Sequence, residues 1–302
     1  MPARLILNAD DFGLTHGINR AIGELHSAGV LPSTTLMASG AAFDDAVEIA
    51  RAHPTLGVGC HVVLTDGTPV SPPGTIRSLL GPDGKNFRAS LTGFVEAHLL
   101  GRINQDEVAR ETRAQIEKLQ RAGINITHLD THKHTHLFPS IASTLLQVAE
   151  RCGIRSIRNP FEPRWSLALE QGSRARRVAV RLIGCLRPSF EAHVEIGDGR
   201  VMTTNGTVAI SATGELNCST LGEILRALPS DGCYELCCHP GYNDSALDCV
   251  RTRLRAQRDI EREALLSEIP KLLARTNAPT LLHYGAFAAE QISAAPAADV
   301  TS

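Results

Sequence analysis

Short apolar runs alternate along the chain with longer segments in which apolar residues recur every three or four positions. The short runs predict β-strands and the longer segments predict amphipathic helices, because buried strands and helix faces differ in length and repeat. We predict strands at residues 4–9, 33–38, 56–63, 126–130, 155–158, 233–239 and 279–284, and helices at 16–29, 42–53, 104–122, 139–152, 218–228 and 250–275. Strands that alternate with helices indicate an α/β fold built from βα units.

Three segments interrupt this alternation. Residues 64–88 are rich in glycine and proline and predict a surface loop, and 190–217 contain Gly197-Asp198-Gly199 and Asn205-Gly206, which favour a small hairpin. The alanine-rich residues 291–302 predict a disordered tail. No linker divides the chain, so we expect one domain over residues 1–290 with inserted loops near 64–104 and 160–217.

Composition narrows the class of protein. The 302 residues are 43% apolar and 21% charged, which suits a single α/β barrel with a large core, and the eight cysteines form no C-x-x-C pair and predict buried free thiols. A net charge of −2 gives no global electrostatic reason to expect a nucleic-acid partner. We expect a cytoplasmic protein, because no apolar stretch reaches the length of a membrane span and no signal-peptide pattern is present. The sequence leaves open whether the protein forms homo-oligomers.

Acids and histidines follow several of the predicted strands. The first strand ends at Asp10-Asp11, the third at His61 and a late one at His239. In α/β barrels, functional side chains gather at the carboxyl ends of the strands. The fourth strand runs into the densest group, which comprises Asp130 and four histidines, His128, His132, His134 and His136.

These residue types indicate metal chemistry. Adjacent acids on a buried strand repel each other, and a divalent cation would offset that cost while leaving one carboxylate as a base. The alternative for the acid pair is a cap for the helix that begins near Thr15. The histidine cluster as a whole favours a metal site, although some of its members would orient other ligands. His239 precedes Pro240-Gly241, and its alternative is a hydrogen-bonded core histidine.

At these residues the sequence resembles the YdjC-like carbohydrate deacetylases, which include chitooligosaccharide deacetylases and hopanoid-biosynthesis-associated deacetylases. The resemblance covers about residues 4–285. Its motifs are NADDFGL at 8–14, STTLM at 33–37, GCH at 59–61, THLDTHKHTHLFP at 127–139 and HPG at 239–241.

The resemblance implies an irregular (β/α) TIM-like barrel of the glycoside hydrolase/deacetylase type. It also implies a metal held by Asp11, His61 and His132, with Asp10 as the general base and His239 as the general acid. The expected reaction is hydrolysis of the N-acetyl group of an amino sugar, either an N-acetylglucosamine-containing oligosaccharide or a glycolipid. We place the remaining polar candidates around the metal ligands or against the substrate: His128, Asp130, His134, His136 and Arg158.

Some alternatives stay open. The resemblance favours magnesium, whereas two imidazole ligands favour zinc. Another metal-dependent barrel hydrolase or isomerase acting on a sugar would use the same ligands, and a non-catalytic sugar-binding relic of the fold is a third reading.

Residues 174–187 carry five arginines and no acid among valine, leucine and isoleucine. This pattern is typical of a basic amphipathic helix that contacts an anionic membrane surface, as would suit a lipid-linked substrate. The alternative is an outer barrel helix that packs Val178, Leu182 and Cys185 inward.

Overall fold

The computed structural model describes residues 3–196 and 201–294, and a curled parallel sheet organises them. Strand β1 lies near its centre, where β6 pairs with one side and β2 and β7 share the other. The order among the described strands is β4-β3-β2-β1-β6-β5. Their bounds are β1 Arg4–Phe12, β2 Ser33–Leu36, β3 Gly57–Val62, β4 Ile126–Thr131, β5 Thr207–Val208, β6 Cys233–Cys238 and β7 Thr280–Leu282.

Helices connect the strands, as the alternating pattern predicts. Five helices confirm the predicted ones to within two residues, namely α1 His16–Ser27, α2 Phe43–Ala52, α4 Gln105–Arg121, α5 Pro139–Arg151 and α9 Cys218–Ala227. The sixth, α10 Ala256–Leu273, begins six residues later than predicted. Thr15, Asn104 and Asn217 cap α1, α4 and α9 by accepting backbone N–H groups. The others are α3 Leu91–Leu99, α6 Arg164–Leu167, α7 Arg174–Ile183, α8 Arg187–Ile196 and α11 Tyr284–Ala294.

The sheet is a curled half-barrel, which is consistent with the irregular TIM-like barrel that the resemblance implies, but the barrel is not closed. The predicted strand at 155–158 forms only isolated bridges, from Leu129 to Ile157 and from Ser156 to Met202. Pro160, two residues after this segment, has no backbone N–H to donate, so a regular ladder cannot continue there. Both faces of the central strand are nevertheless covered, since every residue of β1 after Arg4 is buried.

Two other predictions were wrong. In place of the hairpin predicted in 190–217, the structure has the last turns of α8 and the strand β5, which pairs in parallel with β6. Gly197-Asp198-Gly199 lie outside the described residues. An Arg187–Glu191 pair one helical turn apart supports α8. The predicted tail begins too early, because residues 291–294 continue α11.

The basic segment 174–187 forms α7 and a following 3₁₀ turn, but it does not pack as an outer barrel helix would. Val178, Leu182 and Cys185 are exposed, so the expectation that they pack inward was wrong. No helix in the described part of the chain combines the length and apolar character needed to cross a membrane. All eight cysteines are free thiols, and four of them are buried, namely Cys60, Cys233, Cys237 and Cys238.

Polar side chains on α4 fix the predicted loop after β3. Glu111 is fully buried and accepts the backbone N–H groups of Val70 and Ser71, each at 2.9 Å. One turn later, Gln115 accepts from Val63 N at 2.9 Å and donates to Val63 O at 2.8 Å. The loop that follows His61 is therefore held by hydrogen bonds to side chains of the helix.

We expect Glu111→Ala to lower the free energy of unfolding by about 2–4 kcal/mol, because two backbone donors lose their acceptor in a buried setting. Denaturant titration monitored by circular dichroism measures this. The matched control is Glu107→Ala on the same helix, which removes one acceptor from the half-buried Ser78 N and should cost less. Equal losses in the two variants would contradict the role assigned to Glu111.

Candidate metal and catalytic site

A backbone irregularity at the end of β1 positions both acids of the Asp10-Asp11 pair. The register between β1 and β2 shifts between Ala9 and Phe12, and Asp11 has a φ of 67°. Adjacent residues of a regular strand point to opposite faces, whereas a bulge with a left-handed residue re-aims one of them. Both carboxylates consequently reach the carboxyl edge of the sheet, where they contact different partners.

Asp11 lies within a triangle of potential ligand atoms. Its Oδ1 is 3.7 Å from His61 Nε2 and 3.6 Å from His132 Nδ1, and these two nitrogens are 3.3 Å apart. Three donors at this spacing can surround one cation at ligand distances of about 2.0–2.2 Å. The side chains of Asp11 and His61 are buried, and that of His132 is 19% exposed, so the triangle has one side open to solvent.

Asp130 orients one corner of this triangle. His61 Nδ1 lies 2.8 Å from Asp130 Oδ1, which assigns the proton of the neutral ring to Nδ1 and leaves the Nε2 lone pair facing Asp11 and His132. Burial opposes protonation of His61, but Asp130, Asp10 and Asp11 outweigh it and raise its pKa to about 9. The ring therefore sits in a field that favours a cation at Nε2, either a proton or a metal ion.

Asp10 belongs to a second buried network, which is centred on Arg158. The Arg158 guanidinium contacts Asp10 Oδ1 at 2.6 Å, Asp130 Oδ2 at 2.6 Å and Glu235 Oε1 at 2.6 Å. Burial opposes ionisation of Asp10, but Arg158, with His61 and His239, outweighs it and holds its pKa well below the ordinary range. For Glu235 burial prevails and raises the pKa, although Tyr284 Oη also donates to it at 2.5 Å.

His239 approaches Asp10 from the end of β6. Its Nε2 is 3.8 Å from Asp10 Oδ2, and its Nδ1 is 3.9 Å from Glu261 Oε2. Its backbone N–H donates to the same Glu261 oxygen at 2.6 Å, which fixes the chain at this point. Arg258 on the same helix as Glu261 donates to Asp11 Oδ2 at 2.6 Å. The structure thus brings Asp10, Asp11, His61, His132 and His239 together at one edge of the sheet.

The other three histidines of the 128–136 cluster lie around this centre. His128 stacks on Tyr284 with ring centroids 4.0 Å apart, and His136 bridges Thr131 Oγ1 at 2.7 Å and the Arg158 carbonyl at 3.2 Å. His134 has a φ of 52°, and its buried Nδ1 has no hydrogen-bond partner among the described residues. Burial lowers the pKa of all three rings, that of His134 to about 3, so they are neutral near pH 7.

Residues 4–275 match the family model described as YdjC-like protein. This chain belongs to the YdjC-like protein family. It is 44% identical over 158 residues to a carbohydrate deacetylase of Brevibacillus brevis, a match that covers 52% of this chain and 60% of the relative. A carbohydrate deacetylase of Listeria monocytogenes is 42% identical over 155 residues, with 51% and 60% covered. The matched part thus spans less than two thirds of these relatives.

Solved structures resemble this YdjC-like protein over most of its length. A protein from Enterococcus faecalis V583, described as a candidate cellobiose-phosphate cleavage protein, matches with a TM-score of 0.75 and 25% identity, covering 95% of this chain and 99% of that one. An uncharacterised protein from Agrobacterium tumefaciens C58 matches with a TM-score of 0.51 and 12% identity, covering 95% and 89%. The second likeness concerns the fold alone.

Sequence reasoning missed several residues of the site in this YdjC-like protein. Glu235 gave a usable signal, because a charged residue inside the apolar strand β6 must find a buried partner. Arg258 and Glu261 gave only a weak signal: they are charged residues three positions apart on the buried side of α10. Nothing local indicates that this helix contacts Asp11 and His239, since the contact joins opposite ends of the chain.

We expect Arg158→Met to lower the free energy of unfolding by about 3–5 kcal/mol, since it leaves Asp10, Asp130 and Glu235 buried without their shared counter-charge. Denaturant titration at pH 7 is the measurement. The control is Arg121→Met, which removes an exposed i,i+4 partner of Glu117 and should change stability by about 0.5 kcal/mol or less. A loss at Arg158 no larger than that of the control would mean that the three acids do not depend on it.

Proposed function

We propose that this YdjC-like protein is a metal-dependent carbohydrate N-deacetylase that releases acetate from an N-acetylated amino sugar. The observation that carries the proposal is that two adjacent carboxylates have different environments. Asp11 faces two imidazoles at ligand spacing, while Asp10 is held by Arg158 beside His239. The name carbohydrate deacetylase of the relatives supports the same reaction.

Asp11, His61 and His132 would hold the metal. One carboxylate and two imidazoles leave coordination positions free for water and substrate, as in catalytic sites of hydrolases. A divalent cation bound there would lower the pKa of a water molecule and polarise the amide carbonyl. We propose magnesium on the family resemblance, with zinc as the alternative that the imidazoles favour.

Asp10 would act as the general base. The Arg158 contact keeps this carboxylate ionised, so it can accept a proton at neutral pH. Because the same contact weakens Asp10 as a base, the proton would have to come from a water whose own pKa is lowered by the metal. The Cys237 thiol also donates to Asp10 Oδ2 at 3.4 Å, and Arg158 binds both carboxylate oxygens, so the group has one fixed orientation.

His239 would protonate the leaving amine. Its ring is 13% exposed and lies next to Asp10. Asp10 would take a proton from the attacking water, and His239 would give a proton to the amine that leaves. Glu261 positions His239 through its backbone N–H and lies near Nδ1. Asp130 fixes the tautomer of His61, and His136 holds the backbone carbonyl of Arg158, so both support the groups that react.

Removal of any proposed ligand should abolish metal binding. We expect Asp11→Asn, His61→Ala and His132→Ala each to reduce the bound metal from about one ion per chain to nearly none. Each alanine variant removes one of three protein ligands, and asparagine replaces the charged ligand of the triangle with a neutral amide oxygen. Asparagine is chosen at position 11 because it tolerates the left-handed backbone there. Metal content after equilibrium dialysis against magnesium or zinc is the measurement, and it also separates the two metals.

His134→Ala is the control for this series. His134 lies in the same turn as His132 but outside the ligand triangle, so its variant should keep the metal. Full occupancy in the His61 variant, or loss of metal in the His134 variant, would show that the ligand set is wrong.

Acetate release tests the proposed activity. Wild-type protein loaded with magnesium or zinc should release acetate from N-acetylglucosamine oligomers or an N-acetylated glycolipid. Asp10→Asn should retain the metal and lose about 10²–10⁴-fold in turnover, since it removes a base and not a ligand. His239→Ala should also retain metal, and should impair substrates with poor leaving groups more than activated ones.

Two outcomes would contradict this assignment. Loss of metal in Asp10→Asn would mean that the two acids have the opposite roles. Cleavage of cellobiose-phosphate without acetate release from any acetylated sugar would favour the activity named for the Enterococcus faecalis protein over deacetylation.

A further inference from the structure

Helix α7 lies in the 160–217 insertion, and none of its side chains is buried. Leu182 is 69% exposed and Val178 is 48% exposed, and Ala175 and Ala179 are exposed as well. An amphipathic helix normally turns its apolar face toward the core. Helix α7 packs Ile183 against the core but presents Val178 and Leu182 to solvent, and exposed apolar side chains that lie together are typical of an interaction surface.

The exposed apolar residues form one continuous stripe. At about 100° per residue, positions 175, 178, 179 and 182 fall within roughly a quarter to a third of the helix circumference. Arg174 and Arg181 border one side of this stripe and Arg176 borders the other. We call residues 174–183 with this arrangement the basic apolar face.

Within residues 3–196 and 201–294, no acid forms an ion pair with the arginines of the basic apolar face. Residues 171–190 contain no acid. Arg176, Arg177 and Arg181 donate to neutral backbone carbonyls, those of Thr213, Glu170, Gly172 and Leu167. The next acid along the chain, Glu191, already pairs with Arg187 at 2.7 Å.

A series of contacts connects this face with the proposed site. Arg176 bonds to Thr213, and the following Gly214 lies next to Leu254. Leu254 lies immediately before α10, between the exposed Arg253 and Arg255, which pairs with Asp248. This is the helix from which Arg258 and Glu261 contact Asp11 and the backbone of His239.

We propose that the basic apolar face docks the protein on an anionic lipid surface. Leucine and valine would enter the boundary between headgroups and acyl chains, and the bordering arginines would contact lipid phosphates. A second copy of the chain fits less well, because a two-fold contact would place the arginines against one another. Nucleic acid fits less well too, since an aliphatic stripe offers nothing to phosphates or to stacked bases.

Vesicle binding of the full chain tests this surface. The probes are sedimented vesicles of phosphatidylcholine alone and of phosphatidylcholine mixed with phosphatidylglycerol, at low and high salt. We expect binding to the mixed vesicles at low salt that weakens in high salt. Leu182→Asp should weaken it about tenfold or more, and Arg174→Glu, whose side chain is exposed, should weaken it in the same direction.

Leu99→Asp is the matched control. Leu99 is 74% exposed at the end of α3, and this substitution changes the net charge as Leu182→Asp does. It should leave vesicle binding unchanged. Because both leucines are exposed, both variants should keep the circular dichroism spectrum of the wild type.

Three outcomes would overturn the proposal: no binding of the wild type at low salt, equal loss in the Leu99 and Leu182 variants, or a change of oligomeric state in Leu182→Asp with unchanged vesicle affinity. The last outcome would assign the surface to a second copy of the chain. Binding is measured without substrate or metal, so its result is independent of the proposed deacetylase activity.

Discussion

The arrangement of the site depends on one buried guanidinium. Arg158 stands where the sheet fails to close, and its backbone N–H still bonds to Leu129 O at 2.9 Å beside β4. Its side chain then reaches Asp10 on β1, Asp130 on β4 and Glu235 on β6. Ionic contacts therefore join the strands across the gap that a regular ladder would have filled. The same side chain thus keeps Asp10 ionised and links the strands on the two sides of the gap.

The second constraint is the backbone of Asp11. A left-handed conformation at a non-glycine residue is costly and persists where its surroundings impose it. Here Arg258 holds one carboxylate oxygen, and His61 and His132 lie near the other. Because of the bulge, the two consecutive acids lie in different environments: Asp11 lies beside two imidazoles, and Asp10 contacts Arg158. Without it, the usual strand alternation would send one of the two acids away from the site.

Much of this could be predicted from the sequence, and the failures have identifiable causes. Periodicity located β1, β3, β4 and β6, and the acids and histidines at their ends do converge. The segment at 155–158 has the composition of a strand, but whether it pairs depends on neighbours that a sequence pattern does not show. The contacts of α10 with Asp11 and His239 likewise arise only when distant parts of the chain meet. Exposure on α7 could not be predicted, because the same amphipathic pattern suits a buried and an unpartnered face.

The buried network is better explained by chemistry than by stability. Desolvating a guanidinium and several carboxylates costs free energy that their mutual attraction only partly returns, and apolar side chains of similar volume often stabilise a core at least as well. A fold that needed only to close the gap near residue 158 could do so with aliphatic packing. Arg158 instead keeps Asp10 ionised and Asp130 orients His61, two conditions that an apolar core cannot meet. Their presence at the one edge where the acids and imidazoles converge therefore supports a catalytic use of this edge over a purely structural one.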